Sequence, residues 1–161
     1  MPVVEPDISN AGSHDLETCQ KSTEKVLAAV FKALNEHNVY LEGMLLKPNL
    51  VTPGQQGGPT ATAEQVADAT IAAFRRTVPS AVAGCCFLSG GLSEENSTLY
   101  LNAVNARKGN STWALTYSFG RAMQTSAWKA YGKDANVAAA QKEFLKRAEA
   151  NSRASQGQYT N

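Results

Sequence analysis

A chain of 161 residues is long enough for one domain with a real core and too short for two comfortable ones. Its 43% hydrophobic and 18% charged content describes a soluble globular chain and excludes a disordered tail, and no apolar run approaches the roughly 18 residues needed to span a bilayer. Lys and Arg number 15 against 14 acids, a net of +1, so no global field would hold nucleic acid or an anionic membrane, and any cationic function must be local.

Taken in chain order, the elements alternate strand and helix. Pro-Val-Val-Glu at 2–5 has the character of a strand tail, stopped by Pro6. From Asp15 to about His37, Leu16, Cys19, Val26, Leu27, Val30 and Leu34 follow helical spacing, with Ser13 as the expected N-cap. Val39 to Leu46 is rich in β-formers and predicts a buried strand ending at Lys47-Pro48, followed by a Gly/Pro-rich loop over 52–60. Thr62 with Gln65 predicts a capping box for a helix to about Thr77. Ala81 to Leu88 predicts the next buried strand, broken by Ser89-Gly90-Gly91, and Ser93 opens a helix to about Arg107. Thr112 to Ser118 predicts a fourth strand, followed by Gly120-Arg121 and a helix to about Tyr131. Asp134 is the expected cap of a last helix with Val137, Ala140, Phe144 and Ala148 on one stripe, and the chain is expected to be frayed or disordered over 154–161. Alternation with continuously apolar strands predicts a parallel sheet covered by helices, either an open doubly wound sheet or part of a barrel, in a single domain over 1–161.

Three cysteines, Cys19, Cys85 and Cys86, are an odd number with two adjacent, which argues against a disulfide framework and for a reducing compartment. His14 and His37 are too few and too far apart for a metal site, so no metal is expected. The run Lys142, Lys146, Arg147 with Glu143 and Glu149 has the pattern of a solvated helix face, and Trp113 and Trp128 are expected in the core. The opening MPVVEPDIS has no basic region followed by an apolar stretch.

In parallel α/β folds, functional groups collect at the C-terminal ends of strands. Each of the four strands here ends on something polar: Glu5 with Asp7 just past it, Lys47, Ser89-Gly90-Gly91, and Ser118-Phe119-Gly120-Arg121. Lys47 follows Met44-Leu45-Leu46, and burial at the end of an apolar strand would disfavour its ammonium and make a neutral amine available to attack a carbonyl. The plain alternative is a lysine snorkelling out of a strand end. Glu5 could move protons beside it or only pair with it. Ser89-Gly90-Gly91 can offer backbone N–H groups to an anion, and Gly120-Arg121 repeats this on the next strand with a guanidinium suited to bidentate phosphate contact. Together they predict a phosphate cradle on adjacent strands.

The segments VVEPDI, LEGMLLKPNLVTPG, FLSGG followed by SEE, and WALTYSFGRAMQTSAWKA, in this order from Pro2 to Tyr159, closely resemble the class I fructose-bisphosphate aldolases. The resemblance implies a TIM (β/α)8 barrel of which this chain is the C-terminal half, about four β/α units. It implies a lyase that reversibly cleaves fructose 1,6-bisphosphate to dihydroxyacetone phosphate and glyceraldehyde 3-phosphate in glycolysis and gluconeogenesis. Lys47 is then the Schiff-base lysine, Glu5 the proton-transfer residue, Ser89, Gly90, Gly120 and Arg121 the sugar-phosphate site, and Asp7 a supporting acid where the family has glutamate. Cys85-Cys86 stands where the family has branched apolar residues. No cofactor and no metal are implied, and the partners are a sugar phosphate and, in the full-length family, further copies in a tetramer, with neither nucleic acid nor membrane. The implied location is cytoplasmic, with an organelle such as the plastid as the other. The competing expectation is an incompetent half-barrel that only binds or self-associates, and a transaldolase-like Schiff-base enzyme is a third.

Overall fold

The computed structural model describes residues 1–160. Strands β1 (Val3–Val4), β2 (Leu45–Leu46), β3 (Gly84–Phe87) and β4 (Ala114–Tyr117) alternate with helices α1 (Leu16–Glu36), α2 (Ala63–Thr77), α3 (Glu94–Arg107) and α4 (Arg121–Tyr131), and α5 (Val137–Ala154) follows. All four strands are parallel and lie in sequence order, with Val4, Leu46, Cys85 and Leu115 in one row. Among the described residues β1 and β4 are open edges, each paired on one side only.

Side-chain alternation along parallel strands divides the sheet into two faces. Leu46, Cys85, Phe87 and Leu115 point toward the helices and are buried. There Phe74 of α2 stacks on Phe87 at 5.6 Å and meets Trp113 edge-on at 6.1 Å. The other face is only half covered: Val3, Ala114 and Thr116 are exposed, while Gly84 and Cys86 in the middle are buried.

The capping box at the start of α2 forms as expected: Gln65 N–H donates to Thr62 Oγ1 and Thr62 N–H to Gln65 Oε1. Thr62→Ala is expected to lower stability by about 1 kcal/mol, measured as a shift in the urea midpoint at unchanged slope.

Several expectations are corrected. The cap of α1 is Asp15, whose carboxylate accepts from Thr18 N–H, rather than Ser13, and Asn136 rather than Asp134 caps α5. The expected strand over 39–46 is interrupted by a 3-10 turn at Leu41–Gly43, leaving two paired residues in β2. The stripe on α5 faces away from the core: Val137 and Phe144 are exposed, while Arg147, Asn151 and Ala154 are buried. Trp128 is 69% exposed, so of the two tryptophans only Trp113 is a core residue. Within the expected frayed end, Ala154 is buried in α5 and Tyr159 N–H donates to Asn102 Oδ1, while Asn161 lies outside the described residues.

Arg147 is not on a solvated face. It donates to Glu94 O and Thr98 Oγ1, and Thr98 in turn donates to Asn151 Oδ1 at 2.8 Å. The Glu94 carboxylate accepts from the N–H and hydroxyl of Ser126, so one buried polar network joins α3, α4 and α5. Buried charge needs such partners to be tolerated.

Candidate functional site

The ladder that aligns Val4 with Leu46 places the next residues, Glu5 and Lys47, side by side at the strand ends on the half-covered face. Lys47 N–H donates to Val4 O at 2.8 Å, fixing the backbone from which the side chain leaves the sheet. Lys47 Nζ lies 3.1 Å from Glu5 Oε1, with the two side chains 23% and 47% exposed. The amine is therefore shielded by the sheet and paired with a carboxylate. Lys47 is thus partly buried, as the end of an apolar strand implies, and Glu5 stands beside it as an ion-pair partner. Asp7 is exposed and makes no ion pair among the described residues.

Cys86 belongs to the same layer, since Cys85 is registered with Leu46 and Cys86 follows it. Its thiol donates to Leu46 O at 3.5 Å, and burial pushes its pKa upward while Lys47 draws it down. Thr116, registered with Cys86, completes the row. Neither was singled out as a site residue in the sequence, although counting alternate positions back from Lys47's layer would have found both. Cys85 points the other way. Burial, with the neighbouring Cys86 thiol adding to it, raises its pKa from 9.0 to about 12. A raised thiol pKa contributes stability below the unfolded value and loses it as pH climbs toward 12. Iodoacetamide at pH 8.5 is accordingly expected to label Cys85 about a hundredfold more slowly in the native chain than in urea, read by peptide mass spectrometry.

The turn Ser89-Gly90-Gly91-Leu92 is closed by Leu92 N–H donating to Ser89 O at 2.9 Å. Gly90 and Gly91 have φ of 55° and 83°, the left-handed pair that glycine adopts without strain. A side chain on Gly90 would also meet Asn10 Nδ2 at 3.2 Å. Among the described residues, the backbone N–H groups of Ser89, Gly90, Gly120 and Arg121 have no acceptor. Gly120 precedes α4 without a side-chain cap, and the first turn of α4 has no acid, so that helix end is open to an anion. The start of α3 differs: Ser93 caps it, and Glu94 and Glu95 occupy its first turn, so the glycine turn, not the helix, is what the third strand can offer.

The two anion-facing pieces meet. Arg121 Nη2 lies 3.6 Å from the position a β-carbon on Gly91 would take. From the other side, Gln55 Nε2 reaches Gly90 O at 3.4 Å. Gln55 is itself tied down, its N–H donating to Asn10 O, flanked by Gly54 N–H to His14 O and Gln56 N–H to Gly12 O. No local motif marks Asn10 or Gln55, which approach the turn only because two loops zip together. Gly54 allows that approach, since a β-carbon there would fall 2.2 Å from Gly12 O. Chemically, the arrangement pairs an amine and a carboxylate with a nearby turn rich in unpaired N–H groups and a guanidinium.

The family model for class-I fructose-bisphosphate aldolase matches residues 1–161. The chain is 58% identical over 160 residues to fructose-bisphosphate aldolase B of Homo sapiens, and 56% identical to that of Sparus aurata, in each case covering 99% of this chain and 44% of the relative. Among solved structures it superposes on fructose-bisphosphate aldolase of Plasmodium falciparum, in complex with TRAP and a small-molecule inhibitor, with a TM-score of 0.95 and 49% identity, covering 100% of this chain and 46% of the other. The chain spans less than half the length of the relatives it matches.

Proposed function

The chain belongs to the class-I fructose-bisphosphate aldolase family, and from that premise we propose that it carries the imine-forming and phosphate-binding part of an aldol-cleaving lyase. The reaction is reversible cleavage of fructose 1,6-bisphosphate to dihydroxyacetone phosphate and glyceraldehyde 3-phosphate, in glycolysis and gluconeogenesis. The observation that carries the reading is the Lys47–Glu5 pair at 3.1 Å on the strand ends beside those that hold the glycine turn and Arg121.

The chemistry needs an electron sink, and an imine provides one. The Lys47 amine, after giving its proton to Glu5, adds to the ketone carbon. Proton return to the oxygen expels water and leaves a protonated imine. The bond between the third and fourth carbons then breaks, its electron pair passing into the imine to form an enamine, while a base removes the proton of the fourth-carbon hydroxyl and the aldehyde departs. Protonation of the enamine carbon and addition of water release dihydroxyacetone phosphate and restore the amine. Glu5, next to Nζ, is the group we assign to these proton transfers. Ser89, Gly90, Gly120 and Arg121 hold the phosphate through N–H groups and the guanidinium, fixing the ketone over Lys47. Asp7 is assigned only a supporting charge. The assembly we propose is a homo-oligomer working in the cytoplasm on a sugar phosphate.

Borohydride reduction of the chain with dihydroxyacetone phosphate, followed by peptide mass mapping, tests this. A three-carbon phosphate adduct on Lys47 is expected. No adduct, or one spread over surface lysines such as Lys25 and Lys32, overturns the reading.

A further inference from the structure

Given the phosphate site proposed above, on which this rests, we infer that Gln55 is its positioning residue: the side-chain amide holds the central peptide of the glycine turn in the orientation an anion requires.

Leu92 N–H donates to Ser89 O, so Gly90 and Gly91 are the two central residues of the turn and the peptide between them is its middle. Positive φ at both, 55° and 83°, makes it a type I′ turn. A type II′ turn keeps the same closing hydrogen bond and differs by rotation of that middle peptide, which takes the second central residue to negative φ. Ordinarily side chains decide between the two forms. A pair of glycines has no β-carbons to decide it, so a contact from outside the turn must choose.

Gln55 supplies that contact. Its Nε2 donates to Gly90 O, the carbonyl of the middle peptide, at 3.4 Å. The peptide is trans, so its carbonyl and N–H point opposite ways, and holding Gly90 O toward Gln55 turns the Gly91 N–H away from it. Like those of Ser89 and Gly90, this N–H has no acceptor among the described residues. Successive free N–H groups of this kind make an anion-binding concavity. Rotation to the type II′ form would put an oxygen where the Gly91 N–H stands, and that oxygen would repel a phosphate.

The clamp is anchored independently of the turn it holds. Gln55 N–H donates to Asn10 O at 2.9 Å, flanked by Gly54 N–H to His14 O and Gln56 N–H to Gly12 O, both at 2.8 Å. Three backbone bonds fix the stem, and only the side chain crosses to the turn. Its Oε1 is 4.0 Å from where a β-carbon on Gly91 would stand, the same point that Arg121 Nη2 approaches to 3.6 Å. One carboxamide thus gives its donor to the turn and sets its acceptor on the side of the guanidinium.

The bond is long and exposed, so it favours the type I′ form by about tenfold rather than more. An L-residue at Gly91 would oppose it by about the same factor, through the cost of positive φ. Apparent affinity follows the population of the competent form, so removing the clamp or adding that residue should each weaken phosphate binding only about twofold. Both together should weaken it about tenfold, where independent effects would multiply to about fourfold.

The ligand-free chain reports the peptide directly, because the Gly90 and Gly91 amide protons are close in the type I′ form and far apart in type II′. Their nuclear Overhauser contact is expected to be strong in the parent and to fall by about half in Gln55→Met. Gln56→Met, the same change at the exposed neighbour, is expected to leave it intact. Calorimetry with dihydroxyacetone phosphate is expected to show the twofold, twofold and tenfold pattern for Gln55→Met, Gly91→Ala and the double variant. Capture of unphosphorylated dihydroxyacetone by borohydride should be equal in all of them. An unchanged Overhauser contact in Gln55→Met overturns the inference, and so does a double variant in which the single effects merely multiply. A parent that shows the contact, and loses it in Gln55→Met, yet binds no dihydroxyacetone phosphate upholds the clamp and overturns the proposed function.

Discussion

Lys47→Met is expected to abolish covalent capture of dihydroxyacetone phosphate by borohydride while changing non-covalent binding of the same ligand, measured by calorimetry, by about threefold or less. Methionine keeps the length and the apolar stem of the side chain but has no nucleophilic nitrogen, so the imine cannot form. Binding should survive because the proposed phosphate contacts lie on other strands, at the Ser89–Leu92 turn and Gly120–Arg121. The loss falls on chemistry alone. Glu5, deprived of its cation, is nearly half exposed and can be solvated, so the fold should tolerate the change. Capture persisting in this variant would assign the amine elsewhere.

Arg121→Ala has the complementary effect. The guanidinium is the cation placed beside the glycine turn, its Nη2 3.6 Å from where a β-carbon on Gly91 would stand. Charge-assisted hydrogen bonds to an anion contribute about 2 kcal/mol each, so dihydroxyacetone phosphate should bind roughly thirtyfold more weakly. Dihydroxyacetone itself, which lacks the phosphate, should be captured by the variant and the parent alike. That contrast separates loss of a phosphate contact from general damage to the site. Arg121 is exposed on the first turn of α4, and little of the core depends on it.

Much of this arrangement was legible in the sequence, for identifiable reasons. Strand ends fall where apolar runs meet Pro or Gly, so Glu5, Lys47, the glycine turn and Gly120-Arg121 could be placed without coordinates. The capping box at Thr62 and the cap at Ser93 are local motifs whose partners lie three residues away. What periodicity could not give was which side of a helix has a neighbour. The α5 stripe of Val137, Ala140, Phe144 and Ala148 has helical spacing, yet the helix turns Arg147 and Asn151 inward to meet Thr98 and leaves the apolar side out. Nothing in the local sequence marks Arg147 as buried, because its partners are about fifty residues away. The roles of Asn10 and Gln55 were hidden for the same reason: their approach to Gly90 depends on a loop-to-loop backbone ladder. How deeply Lys47 is covered was not legible for a more general reason. Strand hydrophobicity reports the helix-covered side of the sheet, whereas the inner side is covered only if more strands close over it.

If Lys47 and the glycine turn serve one ligand, a single ketose phosphate must span from one to the other. The most direct test is a crystal structure of the borohydride-reduced chain after incubation with dihydroxyacetone phosphate. Continuous density is expected from Lys47 Nζ through three carbons to a phosphate held by the N–H groups of Ser89 and Gly90 and by Arg121. A reduced adduct whose phosphate lies away from that turn, or density that ends at an unmodified Lys47, would contradict it.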